Sequence, residues 1–226
     1  MRFLRLLALA PFALASPASA AGIDLAWDSC LGEPTATSIK TFACNTSLGT
    51  ESLWISFESP ITGAPAPVEV AIEFRTRSGA PLPVWWDFED VSSCRRGALY
   101  PDTDPPNATP TCAPWDASEV PAFVIDRIDY QLPTADVGRM VVSSRRPGSV
   151  AIGQRYLACR LLLTHVRSTG LQACAGCQVP VRVTLNAVSI ASHIMTNPIT
   201  QNFVLWQDTP VPTRASNWSA LKSLYK

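Results

Sequence analysis

The sequence is poor in the residues on which most catalytic and metal sites depend. Only two of its 226 residues are histidines, His165 and His193. It contains no H-E-x-x-H pair, no G-x-S-x-G elbow and no phosphate-binding glycine loop. These absences exclude the zinc-protease, serine-hydrolase and nucleotide sites that such motifs build. We expect His165 to be a partly buried, hydrogen-bonded strand residue and His193 to lie in a loop, and we predict no metal site and no cofactor.

An excess of charge of either sign is also missing. Lysine and arginine number 18, as do aspartate and glutamate, so the formal net charge is +0 at pH 7. A nucleic-acid-binding face needs a basic stripe, and a face that binds anionic lipid needs a polybasic patch. The sequence has neither, and we expect no nucleic-acid partner.

Long apolar runs are absent except at the N-terminus, which reads MRFLRLLALAPFALASPASA. Two arginines precede an apolar stretch over residues 6–15, and Ala-Ser-Ala at 18–20 is a small-residue cleavage site. The pattern predicts a secretory signal peptide over 1–20. Its apolar stretch is shorter than the roughly 20 residues of a membrane-spanning helix. We therefore expect a secreted or periplasmic protein that starts at Ala21, with no membrane insertion after signal removal.

Helical periodicity is nearly absent, and alternation of apolar and polar residues takes its place. VEVAIEF (68–74) and VPVRVTL (179–185) alternate cleanly, which is typical of half-buried antiparallel strands. Similar stretches occupy 23–28, 52–58, 83–88, 123–132, 139–144, 155–166 and 202–207. About nine strands with proline-rich connections predict one all-β domain over 21–207. We expect a disulfide-stapled antiparallel β-sandwich, with a jelly roll as one candidate arrangement.

The C-terminus is the one stretch with helical spacing. In SNWSALKSLYK, Trp218, Leu221 and Leu224 recur at helical intervals after residues able to cap a helix. The preceding QDTPVPTRAS resembles a linker. We predict that 208–226 is a linker and a short amphipathic segment, which either docks on the sandwich as a short helix or serves as a sorting tail.

Cysteine is well represented, and all of it follows the signal peptide. The seven cysteines are Cys30, Cys44, Cys94, Cys112, Cys159, Cys174 and Cys177. In an oxidising compartment an even set of cysteines indicates disulfides. Connectivity does not follow from sequence alone. The polar loop between Cys30 and Cys44 and the proline-rich loop between Cys94 and Cys112 nevertheless favour these two local pairs.

Cys159 is the odd cysteine. The alternation of its predicted strand puts it on one face with three leucines, Leu157, Leu161 and Leu163. We interpret it as a small buried thiol. A nucleophilic pair with His165 is excluded unless the strand bends, because six residues of extended chain span about 20 Å.

Cys174 and Cys177 form a Cys-x-x-Cys pair directly before a run of alternating valines. It could be a redox centre, half of a metal site or a disulfide at a turn. A thioredoxin-type pair needs a helix that starts at the second cysteine, and here a predicted strand follows. A metal site needs a second ligand pair. Gly176 supplies the positive φ of a tight turn, so we favour a disulfide at a hairpin tip.

The adjacent Trp85 and Trp86 are the candidate ligand-binding residues. On a strand they point to opposite faces. One ring would then enter the core, while the other is either covered by a loop or exposed beside Asp87 and Glu89. An exposed ring with polar neighbours is what a carbohydrate-binding face needs.

Five carboxylates are the candidates for acid–base chemistry. A pocket that gathers two or more of them would favour a secreted hydrolase, and their dispersal over loops would argue against it. They are Glu89, Asp90, Asp102, Asp104 and Asp116.

The layout of the motifs resembles a group of uncharacterised secreted bacterial proteins. It runs from LAWDSC and FACNTSLGTESLWISFESP through LPVWWDFEDVSSCRRGAL to ACAGCQVPVRVTLNAVSI and NFVLWQ. The closing PTRASNWSALKSLYK also resembles a tail of such exported proteins. The resemblance implies export and a framework that includes every cysteine except Cys159, and it carries no activity.

Two classes of function remain open. The first is a non-enzymatic envelope or extracellular module that binds a glycan or protein ligand or has a structural role. The alternative is a secreted hydrolase or a Cys-x-x-Cys thiol oxidoreductase.

Overall fold

The protein is almost entirely β-structure, as predicted. The computed structural model describes residues 21–63, 67–88, 92–102, 111–113, 124–145 and 149–208. Eleven strands occur in these ranges: β1 Gly22–Trp27, β2 Ile39–Lys40, β3 Thr50–Glu58, β4 Val68–Thr76, β5 Leu99–Pro101, β6 Val124–Thr134, β7 Val137–Arg145, β8 Arg155–Thr164, β9 Val181–Ile190, β10 His193–Met195 and β11 Phe203–Trp206. A 3₁₀ turn at Val84–Trp86 is the one helical element among the described residues.

The strands form two sheets. The smaller sheet has the order β1-β3-β8-β5, and the larger has the order β2-β11-β9-β4-β7-β6 with β10 paired to β9. Every strand pair is antiparallel except the short pair of β2 and β11, which is parallel. The β-sandwich prediction is therefore confirmed. The jelly-roll arrangement stays a prediction.

The alternating sequence of β4 explains how the larger sheet builds its inner face. Val68, Val70, Ile72 and Phe74 are each at most 2% exposed, while Glu69 between them is exposed. Burying a side chain of this size contributes about 1.5–3 kcal/mol. The same alternation in β9 places Val181, Val183 and Leu185 in the same core.

A register shift in the smaller sheet corrects one detail of the predicted faces. The pairing of β3 with β8 shifts between Ile55 and Ser56, so the alternation of β8 is interrupted. Cys159, Leu161 and Leu163 lie in the main core, as expected, but Leu157 belongs to a second apolar cluster with Trp54. A β-bulge of this kind is not visible in the apolar pattern.

The connection from β8 to β9 also differs from the prediction. These strands lie in different sheets, so the segment 165–180 crosses between sheets and is not a hairpin. Cys174 and Cys177 consequently lie on a crossover loop, where their neighbours come from distant parts of the chain.

The predicted signal peptide (1–20) and most of the predicted C-terminal segment (209–226) lie outside the described residues. Within the described ranges, no helix is long and apolar enough to cross a membrane.

Candidate functional site

Four loops meet at one end of the sandwich, which we call the clamped end. They are residues 41–49, 82–88, 92–98 and 165–180. Strand pairing brings them together, because Thr50 at the start of β3 pairs with Thr164, and Thr76 at the end of β4 pairs with Val181. Functional residues are commonly carried by loops that a rigid scaffold positions, so this end is the natural candidate site.

Two disulfides lock these loops together. Cys44 is bonded to Cys177 and Cys94 to Cys174, across 133 and 80 residues of sequence. Each cysteine of the Cys-x-x-Cys pair is therefore bonded to a different loop, and the two are not bonded to each other. The prediction of a Cys174–Cys177 turn disulfide is wrong.

The third disulfide lies away from this end and corrects the two local pairs as well. Cys30 is bonded to Cys112, so neither Cys30–Cys44 nor Cys94–Cys112 forms. Both cysteines belong to the second apolar cluster, with Trp54 and Leu157. The composition of the local loops predicted the wrong pairs because antiparallel sheets bring together cysteines that are far apart in sequence. The seventh cysteine, Cys159, is a buried thiol in the main core.

Gly176 shapes the crossover loop around the Cys-x-x-Cys pair. Its φ is +101°, and a Cβ at this position would lie 2.1 Å from the Cβ of Pro83. In the same loop, the Ala175 carbonyl accepts a hydrogen bond from Trp85 N at 2.9 Å. The turn predicted from Gly176 is present, and its close contact is with the 82–88 loop.

Trp85 and Trp86 do not form a strand, and neither ring is exposed. Pro83 fixes an extended φ of −66° and a 3₁₀ turn follows, in which Asp87 N donates to the Val84 carbonyl. Because this turn does not alternate between two faces, both tryptophans enter the core, at 0% and 1% exposure. The second tryptophan is therefore covered rather than exposed, and neither ring presents a flat face on which a sugar could stack in this structure.

The two rings belong to an aromatic cluster in which the indoles of Trp85 and Trp206 have hydrogen-bond acceptors. Trp85 stacks on Trp206 with ring centroids 5.1 Å apart. The indole of Trp85 donates to Ser168 Oγ at 3.0 Å, and that of Trp206 donates to the Cys177 carbonyl at 2.9 Å. The cluster ties the 82–88 loop to the crossover loop and supports both disulfides.

Arg95 is a buried cation on the other side of Trp85. Its guanidinium lies 3.5 Å from the centre of the Trp85 ring and donates to the carbonyls of Trp85, Thr164 and Val166. Burial lowers the pKa of the Arg95 guanidinium to about 9. Within the described part of the chain its hydrogen bonds all go to backbone carbonyls, so Arg95 acts as a bracket between two loops.

A chain of four ionisable side chains lies at the edge of the clamped end. Lys40 Nζ is 2.8 Å from Asp28 Oδ1 and 2.6 Å from Glu51 Oε2, and the other oxygen of Glu51 is 2.9 Å from His165 Nε2. Partial burial of Lys40 works against its charge, but the hydrogen bonds to Asp28 and Glu51 outweigh burial and raise its pKa. We call these residues the charged chain.

His165 has acceptors at both ring nitrogens. Nδ1 lies 2.9 Å from the Leu48 carbonyl oxygen, and Nε2 faces the Glu51 carboxylate. The Phe42 ring stacks on the imidazole at 3.6 Å between centroids. Through its contacts with Leu48 and Phe42, His165 helps to hold loop 41–49.

Backbone strain is concentrated at the same end. Five non-glycine residues with positive φ occur among the described residues, and four of them lie in or beside the clamped loops: Asp28, Cys44, Arg167 and Gln207. Such conformations cost free energy and cluster at functional sites. The amide of Gln207 stabilises this region, because it accepts from Phe42 N at 3.1 Å and donates to the Phe42 carbonyl.

The loops of the clamped end present exposed aliphatic side chains to solvent. Leu48 is 81% exposed, and Leu171 lies fully in solvent. Val84 and Val166 are about half exposed, at 51% and 42%. Ser47 and Thr169 exchange hydrogen bonds, which connect the loops that carry Leu48 and Leu171.

The carboxylates predicted for acid–base chemistry are not gathered by the described structure. Asp102 forms an ion pair with Arg160 on β8. The other four, Glu89, Asp90, Asp104 and Asp116, lie outside the described residues. Among the described residues, no group of three or more histidine, cysteine, aspartate or glutamate side chains is placed to hold a metal ion. His193 is exposed on β10.

Sequence reasoning missed the charged chain and Arg95. Asp28, Lys40, Glu51 and His165 are spread over 138 positions (28 to 165), and no motif relates them. A scan against protein-family models and a search of the curated proteins each returned no match to this chain.

Proposed function

We propose that the chain is an exported, non-enzymatic binding module that recognises a protein ligand through the clamped end. The observation that carries the proposal is the set of exposed aliphatic side chains, led by Leu48 and Leu171, on loops that disulfides lock in place. Locked loops lose little conformational freedom on binding, which favours affinity. Kinship with the secreted bacterial group is part of the same proposal.

Location outside the cytoplasm rests on the disulfides and on the sequence pattern of the N-terminus. Three disulfides in one domain are typical of proteins that mature in an oxidising compartment. Together with the predicted signal peptide over 1–20, they support a secreted or periplasmic protein.

A protein ligand is favoured over a glycan by the kind of side chain that is exposed. Sugar-binding faces use flat aromatic rings. The five described tryptophans, Trp27, Trp54, Trp85, Trp86 and Trp206, are all buried. The exposed large hydrophobic residues of the four loops are aliphatic, and these suit a protein surface better than a sugar ring.

The engaged state of the reactive side chains supports a non-enzymatic role. His165 is buried between two oxygen groups of the protein, the Leu48 carbonyl and the Glu51 carboxylate. The Cys-x-x-Cys residues hold two structural loops rather than a dithiol pair.

Site-specific photocrosslinking in the producing cell tests this proposal. A photoreactive phenylalanine derivative is placed at Leu48 or Leu171, and at Ile152 or Ile194 as matched controls. The control residues are comparably exposed, at 68% and 70%, but lie at the opposite end of the sandwich. We expect a discrete protein adduct from the clamped end alone. Equal adducts from both ends, or no adduct from either, would contradict the proposal.

A further inference from the structure

We propose that the Cys174–Cys177 pair is an exchange centre through which a thiol releases both clamped loops at once. The inference concerns regulation of the binding surface and in that sense rests on the proposed function. Its test, however, reads sulfur connectivity and requires no ligand. Failure of the exchange and failure of the binding proposal are therefore distinguishable.

The first observation is that two different disulfides share one turn. Cys174 and Cys177 are three positions apart, and a turn covers the residues between them. A β-turn brings its first and fourth Cα atoms within about 7 Å, and disulfides join Cα atoms up to about 6.8 Å apart. A bond between these two cysteines is therefore within reach once one of the present bonds is broken.

The second observation is that the outer partner of each bond is the more exposed residue. Cys174 and Cys177 are each 4% exposed, whereas Cys44 and Cys94 are half-buried. The rate of thiol–disulfide exchange depends on access to the sulfur that is attacked. An external thiol consequently reaches Cys44 or Cys94 first, and the thiolate that leaves is one of the buried pair.

The exchange proceeds in two balanced steps. The thiolate of a low-molecular-weight thiol attacks Cys44 Sγ, forms a mixed disulfide there and expels the Cys177 thiolate. The Cys177 thiolate then attacks Cys174 Sγ, forms the Cys174–Cys177 bond and expels the Cys94 thiolate, which takes up a proton. A second molecule of the thiol reduces the mixed disulfide at Cys44. In total, two external thiols are oxidised to one disulfide, and two disulfides of the protein become one.

The exchange breaks both disulfides of the clamped end, Cys44–Cys177 and Cys94–Cys174. The consequence is that attack on a single disulfide detaches loops 41–49 and 92–98 together, and loop 41–49 carries the exposed Leu48.

The Cys30–Cys112 bond provides an internal control. Both of its cysteines are buried, at 0% and 1% exposure, and they pack in a separate cluster with Trp54 and Leu157. It lies on neither clamped loop and has no sequence neighbour that could take part in exchange. We expect it to survive conditions that open the clamped end.

Limited reduction of the oxidised protein tests the exchange. The folded chain is treated with reduced glutathione, quenched at intervals with N-ethylmaleimide and digested with trypsin for mass spectrometry. Residues 168–182 form one tryptic peptide that contains both Cys174 and Cys177. We expect the main partly reduced species to carry this peptide with an internal disulfide, with Cys94 labelled and Cys44 labelled or glutathionylated.

The same experiment can also contradict the exchange, through the labelling pattern of the cysteines. A main species with Cys177 labelled and Cys94–Cys174 intact, or with Cys174 labelled and Cys44–Cys177 intact, would overturn the proposal. The variant Cys44→Ser provides a second test without reductant, since it creates the Cys177 thiol directly. We expect it to show the Cys174–Cys177 bond and a labelled Cys94, while Cys30→Ser should show a labelled Cys112 and unchanged bonds at the clamped end.

Discussion

Individual side chains at the clamped end hold loops rather than offer reactive atoms. Lys40 shows this well, because its ammonium group bridges two carboxylates, Asp28 and Glu51, and the second of these faces His165. Ion pairs on protein surfaces contribute little. The ion pairs of Lys40 are partly buried and belong to a chain of four side chains. Removal of the Lys40 ammonium therefore leaves two carboxylates facing each other without a cation.

Replacement of Lys40 should lower stability in a pH-dependent way. We expect Lys40→Met to lower the free energy of unfolding by roughly 1 kcal/mol near neutral pH. Because the folded protein raises the pKa of Lys40, the stabilisation is fully present below the ordinary lysine pKa and is lost as pH rises through the folded value. Denaturant unfolding of both proteins from pH 7 to 11 measures it. The exposed Arg96→Met is the charge-matched control, and an equal loss from it would contradict the account.

Gly176 is the residue at which backbone conformation and packing are most demanding. Gly176→Ala adds a Cβ against Pro83 at a φ of +101°. We expect a loss of about 2–4 kcal/mol, from overpacking and left-handed strain together. Gly97→Ala is the matched control, with φ +73° and no atom within 4 Å of the added Cβ. It should lose only about 1–2 kcal/mol in denaturant unfolding. Similar losses for both variants would show that the contact with Pro83 is unimportant.

Among the elements, the 3₁₀ turn at Val84–Trp86 matters most for the clamped end. It directs two adjacent tryptophans into the core while Val84 remains half exposed. The turn is the point where the 82–88 loop meets the crossover loop, through Trp85 N and the Ala175 carbonyl. Tryptophan here has a structural role, in contrast to the sugar platform that the sequence allowed.

Truncation within this turn distinguishes the structural role from a binding role. We expect Trp86→Ala to lower the free energy of unfolding by about 3–5 kcal/mol, because it empties a large core volume. Val84→Ala, in the same turn, should change it by no more than about 0.5 kcal/mol. Thermal and denaturant unfolding measure both. A Trp86→Ala protein of unchanged stability would contradict the buried position.

Prediction from sequence succeeded where the pattern is local. In β4 the alternation of Val68, Val70, Ile72 and Phe74 is enough to define both the strand and its buried face. At 83–88 it failed, because Pro83 starts a turn whose apolar residues look like those of a strand. The bulge at Ile55 and Ser56 and the crossover at 165–180 depend on which strands become neighbours. That is a property of the assembled sheets and not of any short stretch.

The candidate site was the least predictable part, and for the same reason. Glu51 lies on β3 and His165 directly after the end of β8, and each looks ordinary in its own segment. The set of oxidised cysteines could be inferred from the predicted compartment, while their partners could not. Each disulfide closes 80 residues or more of chain.

For the domain as a unit, the disulfides should be a major source of stability. Closing loops of this size stabilises by about 4–5 kcal/mol each in the chain-entropy treatment, and removal of a native disulfide typically costs about 2–5 kcal/mol. We expect Cys30→Ala with Cys112→Ala to lower the melting temperature by roughly 5–15 °C, since 1 kcal/mol corresponds to about 2–4 °C at this size. Scanning calorimetry measures the shift. An unchanged melting temperature would mean that this bond does not constrain the fold.

The most direct test of the account is disulfide mapping of the purified protein under non-reducing conditions. The central claim is that three long-range bonds join distant segments of one sandwich and lock its clamped end. Peptide mass spectrometry should recover Cys30–Cys112, Cys44–Cys177 and Cys94–Cys174, with Cys159 as a thiol. Recovery of the local pairs Cys30–Cys44, Cys94–Cys112 and Cys174–Cys177 would contradict the claim.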